Sequence, residues 1–398
     1  MSETLTSPQI ASSDEAEYSA NALAFTNARI VLPDEVLSGS LNTNAGKINN
    51  IDSGTTTTAQ HDCEGDFLIP GLVELHTDHL ENHYKPRPGV MWNPISAVQA
   101  HDAQMACSGI TTVLDALRVG MEDSADFTAK DMRDMADAIE TAQAEGRLRS
   151  DHFLHLRCEV SADNCVDGFA LFEGDDRVRL TSLMDHTPGQ RQFTSLDYYI
   201  QYYKESKGYS DEQLREYIAR MTERGARNSD KNRREIAERA TTHGIQLASH
   251  DDATIAHVDE AIEFGIKVAE FPTTLEAAKA STEAGMAVLM GAPNVVRGKS
   301  HSGNISAKEL AQAGYLNILS SDYVPVSLLH GAFVLAKDVD GIDLPKAIRT
   351  ITKTPAESVG LTDRGAIETG RRADLVQVRM VGDIPIVRAV WNEGRRVA

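Results

Sequence analysis

Residues 71–79 read GLVELHTDH, a short apolar run that closes on His76, Asp78 and His79. Seven later runs share that texture: GITTVLDAL (109–117), HFLHLRCEV (152–160), RVRLTSLMDH (177–186), GIQLASHDD (244–252), IKVAEFPTT (266–274), MAVLMGAPN (286–294) and LNILSSDYV (316–324). Helical patterns separate several of them, among them DFTAKDMRDMADAIETAQAEGRL and SAKELAQAG. Eight strand–helix units over about 280 residues predict the α/β class and a (β/α)8 TIM barrel. A doubly wound open sheet is the rival. It more often carries a glycine-rich phosphate loop after its first strand, and none stands here.

Outward from the barrel runs, residues 23–60 hold short apolar runs broken by turn residues, LAFTNARIVLP and GSLNTNAGKINNIDSG. The last segment, ADLVQVRMVGDIPIVRAVWNEGRRVA, is alike. The two ends are expected to pair into one satellite β domain (23–65 with 355–398) beside a barrel spanning 66–354; two unrelated edge flaps are the alternative. Residues 1–22 are polar and acidic, lack the basic start and apolar stretch of a secretory signal, and read as a mobile tail. The stretch 191–243 is a long charged helical insertion containing Tyr198, Tyr199, Tyr202 and Tyr203. On a barrel it would sit over the catalytic face as a lid, or else form an outer helix pair or subunit contact.

The chain has 398 residues, 39 basic and 59 acidic, for a net charge of −20. That balance argues against nucleic acid and anionic membrane surfaces as partners. Four cysteines without a CxxC pair fit a reduced cytoplasmic setting. No run of about 18 apolar residues predicts a membrane span.

The chemistry lies at the ends of the runs. His76 and Asp78 end the first, Glu159 the third, His186 the fourth, His250 with Asp251 the fifth, and Asp322 the eighth. In a barrel all these ends open on one face. Imidazole and carboxylate donors together suit Zn²⁺, Mn²⁺ or Fe²⁺, and six of them suffice for two ions. His101, His152, His155, His243 and His257 read as satisfied polar residues; Asp102 and Asp115 read as helix caps or partners of Arg118.

LIPGLVELHTDH (68–79) resembles the first-strand signature of the amidohydrolase superfamily. The usual His-x-His is here His76-Thr77-Asp78, with His79 next, so either Asp78 or His79 is the second ligand. HTDHLENHYKPRPGVMW, AVQAHDAQMACSGITTVLDAL, SLMDHTPGQRQF, LASHDD, EFPTT, GAPNVVRGKSHSGNIS and LSSDYVP are together similar to the PhnM family of phosphonate metabolism. The resemblance implies a (β/α)8 barrel with a small β-sandwich from both chain ends. It implies hydrolysis of α-D-ribose 1-methylphosphonate 5-triphosphate to the 5-phosphate and diphosphate, with two divalent ions, zinc foremost. It implies that His76, Asp78 and Asp322 hold one ion and His186 and His250 the other. Glu159 would bridge, since HFLHLRCEV holds no lysine, and Asp322 would take a proton.

A triphosphate needs local cations on so acidic a chain. Lys85, Arg87 and Arg118 supply some, Gln190 and Arg191 follow the fourth run, and the loop after the seventh supplies Arg297, Lys299, His301, Ser302 and Asn304. A relative acting on a C–N bond (deacetylase, cyclic amidase or deaminase) and a non-catalytic scaffold are the rival functions. A homodimer is the expected assembly.

Overall fold

The computed structural model describes residues 22–55, 60–121, 127–191, 200, 204, 209–298 and 304–398. Most of the expected N-terminal tail, the four tyrosines of the insertion, Lys299, His301 and Ser302 lie outside the described residues.

The chain opens with β1 (Leu23–Val31), β2 (Val36–Asn44), β3 (Lys47–Ser53), β4 (His61–Asp62) and β5 (Phe67–Pro70). Eight strands follow, each separated from the next by helix or turn: β6 (Leu72–Thr77), β7 (Ile110–Val119), β8 (Asp151–Glu159), β9 (Val178–Met184), β10 (Gln246–His250), β11 (Val268–Glu270), β12 (Ala287–Gly291) and β13 (Ile318–Ser320). The eight expected runs are these eight strands. They pair in parallel, in chain order, from β6 to β13. A parallel bridge between Thr77 and Asp322 brings the last strand back to the first, so the sheet closes as a barrel.

Both faces of such a strand are covered, which is why the runs are nearly continuous in apolar residues rather than alternating. Val73, Leu75, Leu114, Leu180, Ala248, Val268, Leu289 and Ile318 fill the interior. Val113, Leu117, Leu154, Leu156 and Cys158 pack outward against the helices. Of the insertion, the structure shows a helix at Asp211–Thr242, started by a capping box in which Ser210 and Gln213 satisfy each other's backbone N–H groups. No helix among the described residues is long and apolar enough to cross a membrane.

β14 (Leu375–Val381), β15 (Ile384–Asn392) and β16 (Arg395–Arg396) return to the N-terminal strands. The order is β16-β15-β14-β5-β1-β2-β3, with β4 beside β1, so the two chain ends do pair. Phe25 of β1 and Trp391 of β15 meet edge to face at 4.9 Å, although two strands lie between theirs in the sheet. The sheet therefore curls over its own core. Backbone bonds from Ile48 N to Arg371 O (2.9 Å) and Ala373 N to Gly46 O (2.8 Å) tie its far edge back to the segment entering β14.

Gly71 is the joint between the two sheets. Its N–H bonds Asp374 O at 2.8 Å, and a Cβ there would stand 2.2 Å from Thr111 Oγ1 and 2.9 Å from Asp374 Cβ. Gly71→Ala is accordingly expected to destabilise the fold by about 1–3 kcal/mol. A urea unfolding midpoint equal to that of the parent chain would contradict this.

Candidate metal centre

At the strand ends, His76, His186 and His250 each have Nδ1 taken up by a carboxylate. Glu270 closes β11 and is buried at the barrel axis. Its Oε1 lies 3.0 Å from His76 Nδ1 and its Oε2 lies 3.2 Å from His250 Nδ1. Ser182 Oγ donates to the same Oε2 at 2.5 Å, and His155 Nε2 stands 2.5 Å from that hydroxyl. Burial opposes the charge of Glu270, but the neighbouring His76 and His155 outweigh it and hold the carboxyl well below the usual range. At the mouth, Glu159 Oε2 engages His186 Nδ1 at 2.6 Å while Ser161 Oγ donates to Oε1 at 2.5 Å. There too burial is outweighed, chiefly by His186, and Glu159 is held down to about 2.

An imidazole fixed through Nδ1 presents Nε2 as its free donor, the tautomer a metal ligand needs. Asp251 turns into this space on a left-handed backbone (φ 56°). Its Oδ2 is 3.4 Å from His250 Nε2 and 3.9 Å from His186 Nε2, and it is buried without a hydrogen-bond partner. His186, His250 and Asp251 can thus offer three donor atoms within 4.8 Å of one another. A buried, unmatched carboxylate oxygen facing two imidazole nitrogens fits a divalent cation of the Zn²⁺, Mn²⁺ or Fe²⁺ type.

His76 joins this group from the first strand, its ring 5.9 Å from that of His250. Asp322 follows β13, also left-handed (φ 53°), with its N–H toward Ser320 Oγ at 3.3 Å. Ser320 and Ser321 are held in turn by buried Glu74, through Ser320 Oγ at 2.5 Å and Ser321 N at 2.6 Å. Asp78 faces Arg157, Nη1 to Oδ2 at 3.1 Å. His79 points elsewhere, Nε2 to Gln104 at 3.0 Å and Nδ1 near Asn82 at 3.3 Å.

The expected anion-binding residues among those described include Lys85, Arg87, Arg118, Gln190, Arg191 and Arg297. Arg118 pairs with Glu81. Arg191 is buried and pairs with Asp252 and Glu260. Gln190 and Arg191 line a cavity of about 300 Å³ that the helix Asp211–Thr242 also borders. Arg87 is exposed in the loop after the first strand, and Arg297 ends the short helix Ala292–Arg297.

Sequence reasoning passed over Glu270, Ser182, Glu74 and Arg157. A glutamate inside the apolar run KVAEF was the available signal for the first. A separate group lies outside the barrel wall. Asp115 of β7 bonds His101 Nε2 and His152 Nδ1, each at 2.7 Å. All three side chains are fully buried.

A family description, "Amidohydrolase family", matches residues 96–398. Over 377 residues the chain is 46% identical to α-D-ribose 1-methylphosphonate 5-triphosphate diphosphatase of Escherichia coli (strain K12), covering 94% of this chain and 100% of that relative. In fold it is similar to a crystal structure of 5-methylcytosine deaminase from Klebsiella pneumoniae, with TM-score 0.63, 14% identity, and 94% and 98% of the two chains covered. It is also similar to N-acetylglucosamine-6-phosphate deacetylase from Pasteurella multocida, with TM-score 0.60, 15% identity, and 95% and 100% covered. A barrel closed through eight parallel strands, histidines and carboxylates at their ends, and a match across most of its length have one reading: the chain belongs to the amidohydrolase family.

Proposed function

We propose that this chain hydrolyses α-D-ribose 1-methylphosphonate 5-triphosphate to the 5-phosphate and diphosphate, as a metal-dependent step of phosphonate breakdown. The observation that carries the reading is the 46% identity, sustained over the whole of the diphosphatase relative. The donor set supports it. In this reading His76, Asp78, Glu159, His186, His250 and Asp322 serve two divalent ions, zinc foremost, with Asp251 beside them. Such ions, when bound, polarise a phosphoryl oxygen and lower the pKa of water. The protein's own groups do the rest. Glu270 and Glu159 fix the imidazoles, and the Asp322 carboxylate takes a proton at the mouth. Arg87, Arg118, Gln190, Arg191, Arg297, Lys299 and His301 serve the phosphates. The reading includes a barrel at 66–354 with a terminal β unit (23–65 and 355–398), a cytosolic location and a homodimer.

Removal of divalent metal by a chelator is expected to lower diphosphate release at least about a hundredfold, since the ions supply several kcal/mol to the transition state. Re-addition should restore it. Phosphorus NMR of the products checks this, and undiminished hydrolysis in the metal-free protein would defeat the reading. A parallel assay on cyclic amides and amino-purines should show no turnover.

A further inference from the structure

We propose that Arg157 binds a phosphoryl group of the substrate, so that the polyphosphate leaves the metal centre toward β7 and β8, along Arg157, Arg118 and Lys85. The inference rests on the substrate reading above and adds the direction in which that substrate lies.

Alternation along β8 sets the orientation. Leu154, Leu156 and Cys158 pack outward, and Phe153 packs with the barrel interior. Arg157, two residues from both His155 and Glu159, therefore faces inward with them. A guanidinium presents a fork of N–H donors. Here Nη1 meets Asp78, as described, while Nε is buried with no hydrogen-bond partner. An unmatched buried donor is costly, and its retention beside a catalytic centre points to an acceptor supplied by a ligand. Phosphoryl oxygens match the planar fork.

The surroundings favour this side. Arg118 is the cross-strand neighbour of Arg157, and its side chain is 40% exposed at the mouth. Lys85 and Arg118 both lie against the Phe127 ring, at 5.5 and 5.6 Å. Arg157 pairs with Asp78 and Arg118 with Glu81. By contrast, after the neighbouring strand β9 and on the helix before β10, Arg191 and Arg233 are committed to Asp185, Asp230, Asp252 and Glu260.

The test is calorimetric titration of the metal-loaded protein with inorganic diphosphate, with bound metal counted by mass spectrometry. R157M is expected to bind diphosphate at least tenfold more weakly with metal content and melting temperature unchanged. A smaller fall, or a fall that extra metal reverses, would overturn the proposal; the second outcome would make Arg157 a positioning partner of Asp78 instead. Should R157M not fold, R157K carries the test. It keeps the charge but loses the fork, and is expected to bind at least threefold more weakly; equal affinity would overturn the proposal. Parent protein that binds neither inorganic diphosphate nor inorganic triphosphate would sink the substrate reading and this inference together, whereas parent binding with unaffected R157M sinks the inference alone.

Discussion

Glu270→Gln is expected to weaken divalent-metal binding by roughly 10- to 100-fold, the usual cost of losing a partner behind a metal-binding imidazole. One carboxylate serves both His76 Nδ1 and His250 Nδ1, from its two oxygens. Glutamine offers one acceptor oxygen and one NH₂ donor. One imidazole would then face a donor and have to move its proton from Nδ1 to Nε2, which blocks the nitrogen needed for the ion. Hydrolysis should fall alongside affinity and recover in part at high metal concentration. Competition with a chromophoric chelator measures the first quantity; affinity equal to the parent's would show that Glu270 does not set the tautomers.

Asp115→Ala is expected to cost about 3–5 kcal/mol of folding stability without touching the catalytic centre, because it strands buried partners of a charge pair. His152 loses the contact at Nδ1, and its Nε2 keeps only Asp102 Oδ1 at 3.4 Å, too poorly aligned for a hydrogen bond. Burial works against the charge on His152, but Asp115 and Asp102 outweigh it and lift its pKa to about 10. Burial works against Asp115 too, and His152 and His101 overcome it and hold the carboxyl below its ordinary value. The sign follows from linkage. The unfolded chain releases the histidine proton near pH 6.5, so this contribution is complete below that value and fades as pH rises toward 10. The Asp115 contribution is present above about pH 4 and fades below it. Urea melts across pH should therefore show a decline above pH 6.5 in the parent that is flattened in Asp115→Ala. Parallel curves would remove the charged His152 from the account.

The barrel was legible because eight apolar runs each end in polar residues and alternate with helical patterns, a regularity local to the sequence. The pairing of the chain ends was legible from the shared texture of residues 23–60 and 373–398. The candidate site was legible in part. His76, His186, His250 and Asp322 stand at the tips of their runs, where a strand-end rule finds them. Glu270 and Ser182 sit inside theirs, and only the closure of the barrel shows that one carboxylate reaches two histidines from different strands. Arg157 was hidden by its setting in HLRCEV, where inward and outward residues cannot be told apart until the alternation of β8 is fixed by Phe153. His101 and His152 were read as separate satisfied residues and Asp115 as a helix cap or a partner of Arg118, whereas Asp115 bonds both histidines and Arg118 pairs with Glu81; nothing local connects a helix residue with two neighbouring strands.

The antiparallel pairing of β5 with β14 joins Pro70 to Leu375, about 300 residues later. On the ribosome, β5 must therefore wait with one flank exposed while the whole barrel is synthesised. The terminal sheet becomes complete only after residues 375–396 leave the exit tunnel. An unpaired strand edge held open for that long invites association with other nascent chains, so the final steps of biogenesis are the stage at which holding chaperones have most to protect.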